Sequence, residues 1–233
     1  MNALLHSPSA LRRTVAMVCG LLDEGNRPRL GTTLAEDELR FELVSCILGS
    51  QVRAESANLA ADRLRLAGLL SDERWAGSDY AFEGEVREIL AGRGPGSRMP
   101  SYRFPTIRAR QLAKLRTLLR VRTLRSYVGR ADDAGSTRRL LVRDLPGIGP
   151  KQASMFLRNV GASYDVAVLD VHVLRFLRLI DVLPPEEVNV SALVPYERTE
   201  HLARGYAASV GRALGYLDWA IWITMRAARE VRQ

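Results

Sequence analysis

The sequence predicts an all-α protein. Apolar residues recur at spacings of three and four through most of the 233-residue chain, the period of helices with one buried face. Alternating β-branched runs, the mark of half-buried strands, are almost absent. Hydrophobic residues make up 47% of the chain, enough to fill a core, so wholesale disorder is not expected.

In chain order, residues 11–22, 36–48, 54–66 and 106–119 carry the helical pattern, as do 140–145, 151–160, 171–180 and a long stretch, 197–222. Residues 92–105 hold three glycines and three prolines beside Met99, Tyr102 and Phe104, and read as the longest loop. Asp132-Asp133-Ala134-Gly135-Ser136 reads as a second break and Pro184-Pro185 as a third. No solenoid repeat or low-complexity tract is present. The length suits one large domain, or two small ones sharing a cleft.

Composition narrows the partners. The formal net charge is +8, which points to a polyanion, with nucleic acid the first candidate. The charge is concentrated: residues 93–151 hold fifteen Lys/Arg against three acids, and the rest of the chain is net acidic. This middle stretch either neutralises phosphates or supplies solvated helix faces. Cys19 and Cys46 imply no disulfide framework and a reducing compartment. Two cysteines cannot supply the four thiolates of an ordinary iron–sulfur cluster. No zinc-ligand spacing or hydroxyl-nucleophile triad stands out. No segment resembles a signal peptide, and the apolar run 220–225 is too short to span a bilayer. The expectation is a soluble, cytoplasmic protein with access to the chromosome and no membrane partner.

The most informative segment is Leu145-Pro146-Gly147-Ile148-Gly149-Pro150-Lys151-Gln152-Ala153-Ser154. A basic, apolar helix precedes it and a second helix follows. Two glycines two apart permit a very tight turn, and the flanking prolines restrict the backbone on either side. Pro150 suits the first turn of the following helix. Such a turn exposes successive N–H groups at a helix N-terminus, a ready site for a DNA phosphate. A purely structural turn between two packed helices is the alternative.

This segment resembles the helix-hairpin-helix motif of the endonuclease III and 8-oxoguanine glycosylase superfamily. Lys151 stands where bifunctional members carry a catalytic lysine. Val168-Leu169-Asp170-Val171-His172-Val173-Leu174-Arg175 is similar to the segment carrying their essential aspartate. The run 153–161, Tyr102-Arg103-Phe104 with Arg108-Ala109-Arg110-Gln111-Leu112, and Leu217-Asp218-Trp219-Ala220-Ile221-Trp222 resemble the archaeal-type 8-oxoguanine glycosylase/lyases. Ile47-Leu48-Gly49-Ser50-Gln51 resembles the superfamily's segment near the flipped-out nucleotide. The resemblance covers the chain from about residue 39 onward. It implies a two-lobed helix-hairpin-helix glycosylase fold with the active site in the inter-lobe cleft. Residues 48–151 would form a helical barrel domain ending in the hairpin, and 1–47 with 152–233 a second helical domain.

Lysine usage fits the resemblance. Lys114 and Lys151 are the only lysines among 34 basic residues. Arginine binds phosphate at least as well but forms no Schiff base. A hairpin lysine could also serve phosphate binding alone. The resemblance implies that Lys151 attacks the anomeric carbon of a flipped-out nucleotide, that the base departs, and that the imine permits β-elimination and strand nicking. Asp170 would stabilise positive charge developing on the sugar and assist proton transfer, while also capping the next helix. His172 reads as structural.

The resemblance further implies a base pocket of Gln51, Phe104, Asp218 and Trp222, with the aromatic faces sandwiching the base. For Trp219, packing on the core is the preferred reading. No cofactor is expected, and a monovalent cation at the hairpin is compatible with the motif. The partner would be double-stranded DNA with a flipped-out damaged base, met by a monomer. One departure stands out: close archaeal members end in a lysine that helps recognise 8-oxoguanine, whereas this sequence ends Ala228-Arg229-Glu230-Val231-Arg232-Gln233. The alternatives are a glycosylase for another damaged base, or a non-catalytic hairpin module that only holds DNA.

Overall fold

The computed structural model describes residues 7–22, 33–77, 80–93, 100–129, 133–186 and 188–230. Among these, every regular element is a helix. In chain order they are α1 (Pro8–Leu21), α2 (Glu36–Leu48), α3 (Ala54–Leu66), α4 (Asp72–Ala76), α5 (Ala81–Leu90) and α6 (Pro105–Leu119). There follow α7 (Leu124–Val128), α8 (Ala134–Asp144), α9 (Pro150–Asn159), α10 (Val171–Leu179), α11 (Leu193–Ser209) and α12 (Leu214–Glu230). None of the described helices is long and apolar enough to cross a membrane.

Local chemistry sets the helix starts. Ser7, Ser71, Thr123, Asp133 and Asp170 each cap a helix by accepting a first-turn N–H. At α2 the Glu38 carboxylate reaches back to the Ala35 N–H at 2.7 Å. Glu36, Asp37 and Glu38 all sit in its first turn, where the helix dipole favours negative charge.

The chain divides into two compact units, residues 30–148, and residues 1–29 with 149–233. In the 30–148 unit, α2 packs on α3, α6 and α7, and α5 packs on α3 and α6. Helix α2 is apolar on several faces: Leu39, Leu43, Val44, Cys46, Ile47 and Leu48 are all buried. A helix sealed in this way belongs at a unit's centre. This compact unit begins at residue 30, where a boundary at residue 48 was expected, so α2 lies inside it. The other boundary falls at 148/149 rather than after Lys151, which places Lys151 in the same unit as Asp170.

In that second unit α12 is the central helix, contacted by α1, α10 and α11. Its core includes Leu11, Val15, Leu169, Phe176, Leu177, Ile180, Leu217 and Ile221. Full burial of each such side chain contributes about 1.5–3 kcal/mol.

Several expectations shift. The stretches 36–48 and 54–66 fold with those bounds. Helices α4, α5 and α7 were not foreseen. The stretch 197–222 is two helices, broken where Gly211 takes a left-handed φ of +65°. Asp133 starts α8 rather than breaking the chain: its carboxylate accepts the Gly135 N–H at 3.0 Å. In the expected loop at 92–105, residues 94–99 lie outside the described residues, as does Asp132.

Arg40 shows how polar groups are used inside the 30–148 unit. It is buried on α2, donates to the Leu70 carbonyl at 2.6 Å and to Asp72 at 2.8 Å, and lies 4.9 Å from the centre of the Trp75 ring. Arg40→Ala strands that carbonyl and opens a gap beneath the indole. A loss of about 2–3 kcal/mol in urea denaturation is expected; a loss below half a kcal/mol would mean that Arg40 holds nothing together.

Candidate active site

The hairpin is built from two buried anchors and two glycines. Leu145 and Ile148 are buried, which holds the turn down. Gly147 sits at φ +82°, a conformation that L side chains rarely adopt. A Cβ there would also lie 3.0 Å from Cδ and Oε1 of Gln111. Gly149 is the N-cap of α9 with no side-chain cap, and no acid occupies the first turn. Pro150 takes the first helical position and Lys151 the second. The first turn of α9 thus carries no acid of its own against the positive end of the helix dipole.

The basic stretch divides into two kinds. Arg103, Arg110, Lys114, Arg120, Arg125 and Arg139 are exposed, whereas Arg108, Arg116 and Arg138 are buried. Arg108 donates to the Ser50 carbonyl at 3.2 Å and to Gln111 Oε1 at 2.8 Å. Arg116 lies 4.5 Å from the centre of the Phe82 ring. The net basic charge of this stretch thus overstates what faces solvent.

Asp170 follows a segment outside any helix whose residues Ala167, Val168 and Leu169 are buried. Buried chain outside helix and sheet needs other partners for its N–H groups. Side chains from α11 and α12 supply them. Glu200 accepts from the Ala167 N–H at 2.8 Å, Asp218 from Val168 at 2.5 Å, and the Tyr196 hydroxyl from Leu169 at 3.1 Å. The Tyr196 hydroxyl in turn donates to the Ala167 carbonyl at 2.6 Å. The Asp170 N–H closes back on the Val168 carbonyl at 2.9 Å. Asp170 itself caps α10: Oδ1 accepts from the His172 and Val173 N–H groups, both at 2.9 Å, so the cap does not use Oδ2.

Asp218, expected in the base pocket, is buried inside its own unit. It is 2% exposed, with one oxygen on the Val168 N–H and the other bonded to the Arg158 guanidinium. Both oxygens are thus engaged inside the unit. Burial pushes its carboxyl up to about 7; Arg158 and the Val168 N–H oppose the rise, and the Asp170 charge adds to it. Trp222 is half-buried, with the Arg226 guanidinium 5.1 Å from its ring centre. Trp219, expected on the core, is 41% exposed, with Arg158 6.0 Å from its ring centre.

Gln51 and Phe104 lie in the other unit. Gln51 forms the turn between α2 and α3 at φ +62°, a left-handed conformation unusual for a residue other than glycine. Three donors hold this turn by its carbonyls: Tyr102 Oη on Leu48 at 2.6 Å, Arg108 on Ser50, and Arg103 on Gln51, the last two at 3.2 Å. Gln51, Arg53, Ser56, Tyr102 and Arg103 line an open hollow of about 420 Å³. Arg103 also stacks 4.9 Å from the centre of the half-buried Phe104 ring. The structure thus joins Gln51 to Phe104 through Arg103. Sequence reasoning missed Arg158, Tyr196 and Glu200. The available signal was polar residues on the otherwise apolar face of α11, where Tyr196, Glu200, Ala203 and Ala207 are all buried. Among the described residues, no group of three or more His, Cys, Asp or Glu side chains could hold a metal ion.

An all-helical chain whose glycine hairpin delivers a lysine to the start of one helix, with an aspartate capping the next, falls in the helix-hairpin-helix glycosylase class. Within that class the chain belongs to the 8-oxoguanine DNA glycosylase family, which residues 28–212 match. It is 35% identical over 188 residues to the 8-oxoguanine DNA glycosylase/AP lyase of Thermoplasma volcanium, covering 80% of this chain and 79% of that one. Its fold is similar to the 8-oxoguanine DNA glycosylase of Thermotoga maritima (TM-score 0.69, 27% identity, 92% of this chain and 93% of that one). It is also similar to the Methanocaldococcus jannaschii 8-oxoguanine glycosylase/lyase in complex with 15mer DNA containing 8-oxoguanine (TM-score 0.59, 25% identity, 92% and 88% coverage).

Gly147→Ala tests the hairpin. The substitution adds about 1–2 kcal/mol of left-handed strain and a contact against Gln111. Duplex affinity should fall at least fivefold while far-UV circular dichroism keeps its helical form. Unchanged affinity would detach the turn from DNA binding.

Proposed function

We propose that this chain is a bifunctional DNA glycosylase/AP lyase that excises 8-oxoguanine from duplex DNA. The observation that carries the reading is the placement of Lys151 at the second position of α9, behind the glycine hairpin, and of Asp170 at the cap of α10 in the same unit. Membership of the family and the relatives' 8-oxoguanine activities support the substrate. The protein would act as a monomer on chromosomal DNA in the cytoplasm.

In this reading the hairpin N–H groups hold a backbone phosphate, and the lesion nucleotide leaves the stack so that its anomeric carbon is open to attack. The Lys151 nitrogen bonds to that carbon through its lone pair as the base departs with the glycosidic electron pair, and the nitrogen then gives up a proton. Asp170 stabilises positive charge on the sugar, and Oδ2 is the oxygen its cap does not use. Opening of the C1′–O4′ bond, with the ring oxygen taking up a proton, gives the imine; a C2′ proton is then lost and the 3′ phosphate leaves, which nicks the strand. Trp222 and Phe104 would offer aromatic faces to the base, and Gln51 would reach towards the space it vacates.

Borohydride trapping decides among the readings, using duplexes bearing 8-oxoguanine and, in parallel, a bare abasic site. Adducts with both, abolished in Lys151→Gln while duplex binding survives, are expected. An adduct with the abasic site alone would keep the lysine chemistry and move the substrate to another damaged base. Tight binding without any adduct would leave a DNA-holding module.

Salt dependence separates the two kinds of arginine. Arg103→Ala and Arg110→Ala remove exposed charge, and each should lower the slope of log affinity against log salt by about 1. Arg108→Ala should instead lower thermal stability with little change in that slope. Equal slopes in all three variants would place the DNA elsewhere.

A further inference from the structure

Asp218 does more than fill the interior of its unit. Its carboxylate lies between the two elements that carry the proposed catalytic pair. One oxygen takes the Val168 N–H, two residues before Asp170. The other takes the guanidinium of Arg158, on the helix that opens with Pro150 and Lys151. We propose that Asp218 is a positioning residue for base excision, tying the Asp170 segment to the Lys151 helix through this two-sided bridge. The inference rests on reading Lys151 and Asp170 as the catalytic pair.

Stability alone does not account for the arrangement. A buried ion pair loses hydration on both sides, and apolar replacements of such pairs are often neutral or stabilising. What the pair does supply is fixed geometry. Tyr196 and Glu200 hold the N–H groups on either side of Val168, but both come from α11. Among these three clamps, Asp218 is the one bonded to α9. Removing it leaves the 167–170 segment attached to α11 and takes away its link to the lysine helix. Misplacement of a reacting group by about 1 Å is enough to slow an enzyme on the order of a hundredfold.

The bridge also carries a pH signature. The charged groups facing Asp218 are Arg158 from α9 and Asp170 from the adjoining segment, and burial with the Asp170 charge lifts the carboxyl to about 7 against the pull of Arg158. Only the ionised form accepts from both donors; a protonated carboxyl turns an O–H towards one of them. Base excision should therefore weaken as the pH falls below about 7.

The test measures single-turnover excision from an 8-oxoguanine duplex, and borohydride adduct formation on a preformed abasic duplex, from pH 5.5 to 8.5. Wild type, Asp218→Asn and Arg158→Met are compared. Binding to a duplex with a tetrahydrofuran abasic analogue serves as the control. Asp218→Asn should lose at least tenfold in rate with binding within twofold of wild type, and its profile should lack the inflection near 7. Arg158→Met, which removes the charge opposing the rise, should move that inflection to higher pH and lower the rate at least threefold at neutrality. If Asp218→Asn does not fold, the Arg158→Met profile decides alone. A wild-type rate in Asp218→Asn, or an inflection unmoved by Arg158→Met, overturns the inference and leaves the proposed activity standing. A wild-type protein that forms no adduct on either duplex removes that activity, and the inference with it.

Discussion

An irregular segment buried without a sheet has to find partners for its N–H groups among side chains. Residues 167–169 meet that requirement in the 149–233 part of the chain, and much of the candidate site follows from how they do so. Three consecutive amides are taken by a glutamate, an aspartate and a tyrosine hydroxyl. Leaving any one of these amides unpaired inside the unit would cost about 1–3 kcal/mol. The segment is thereby held to a single path, and Asp170 emerges from it already set at the start of α10. Capping then engages one carboxylate oxygen, Oδ1, and does not use the other.

The lysine is placed by different means. Its position depends on a turn that only small residues fit, followed by a proline that starts a helix without needing a donor. One group is thus delivered by backbone conformation and the other by side-chain hydrogen bonding. Arginine serves two ends in the same chain. On exposed faces it provides positive charge. Inside the 30–148 unit, Arg40 and Arg108 satisfy carbonyls at chain turns and stiffen the loops beside them. Counting basic residues along the sequence merges these roles.

What was legible in the sequence was local. Lys151, Asp170 and the hairpin are each written within a few adjacent residues, and the spacing between them survives in the chain order. Helices α2 and α3 could be bounded because each is three to four turns long with acidic or polar starts. Helices α4 and α7, at five residues each, are too short for periodicity to register. The part Asp218 plays inside its unit was not legible, because its neighbours in sequence, Trp219 and Trp222, suggest a ligand surface. Its actual partners, Arg158 and Val168, lie 60 and 50 residues away. The place of α2 in the 30–148 unit was not legible either, because nothing in the α2 sequence says which neighbours it will pack against. Only the three-dimensional contacts with α3, α6 and α7 decide that.

The turn at Gln51 carries a further consequence. A glutamine held in the left-handed region gives up about 1 kcal/mol or more relative to a glycine at the same place. Three hydrogen-bond donors brace the surrounding carbonyls in that shape. The fold therefore tolerates a locally unfavourable residue where an easier one would close the same turn. Backbone strain and the presence of a side-chain amide pull in opposite directions at such a position. A screen that selected only for heat resistance would be drawn to glycine there, and would discard the amide that the turn holds out to solvent.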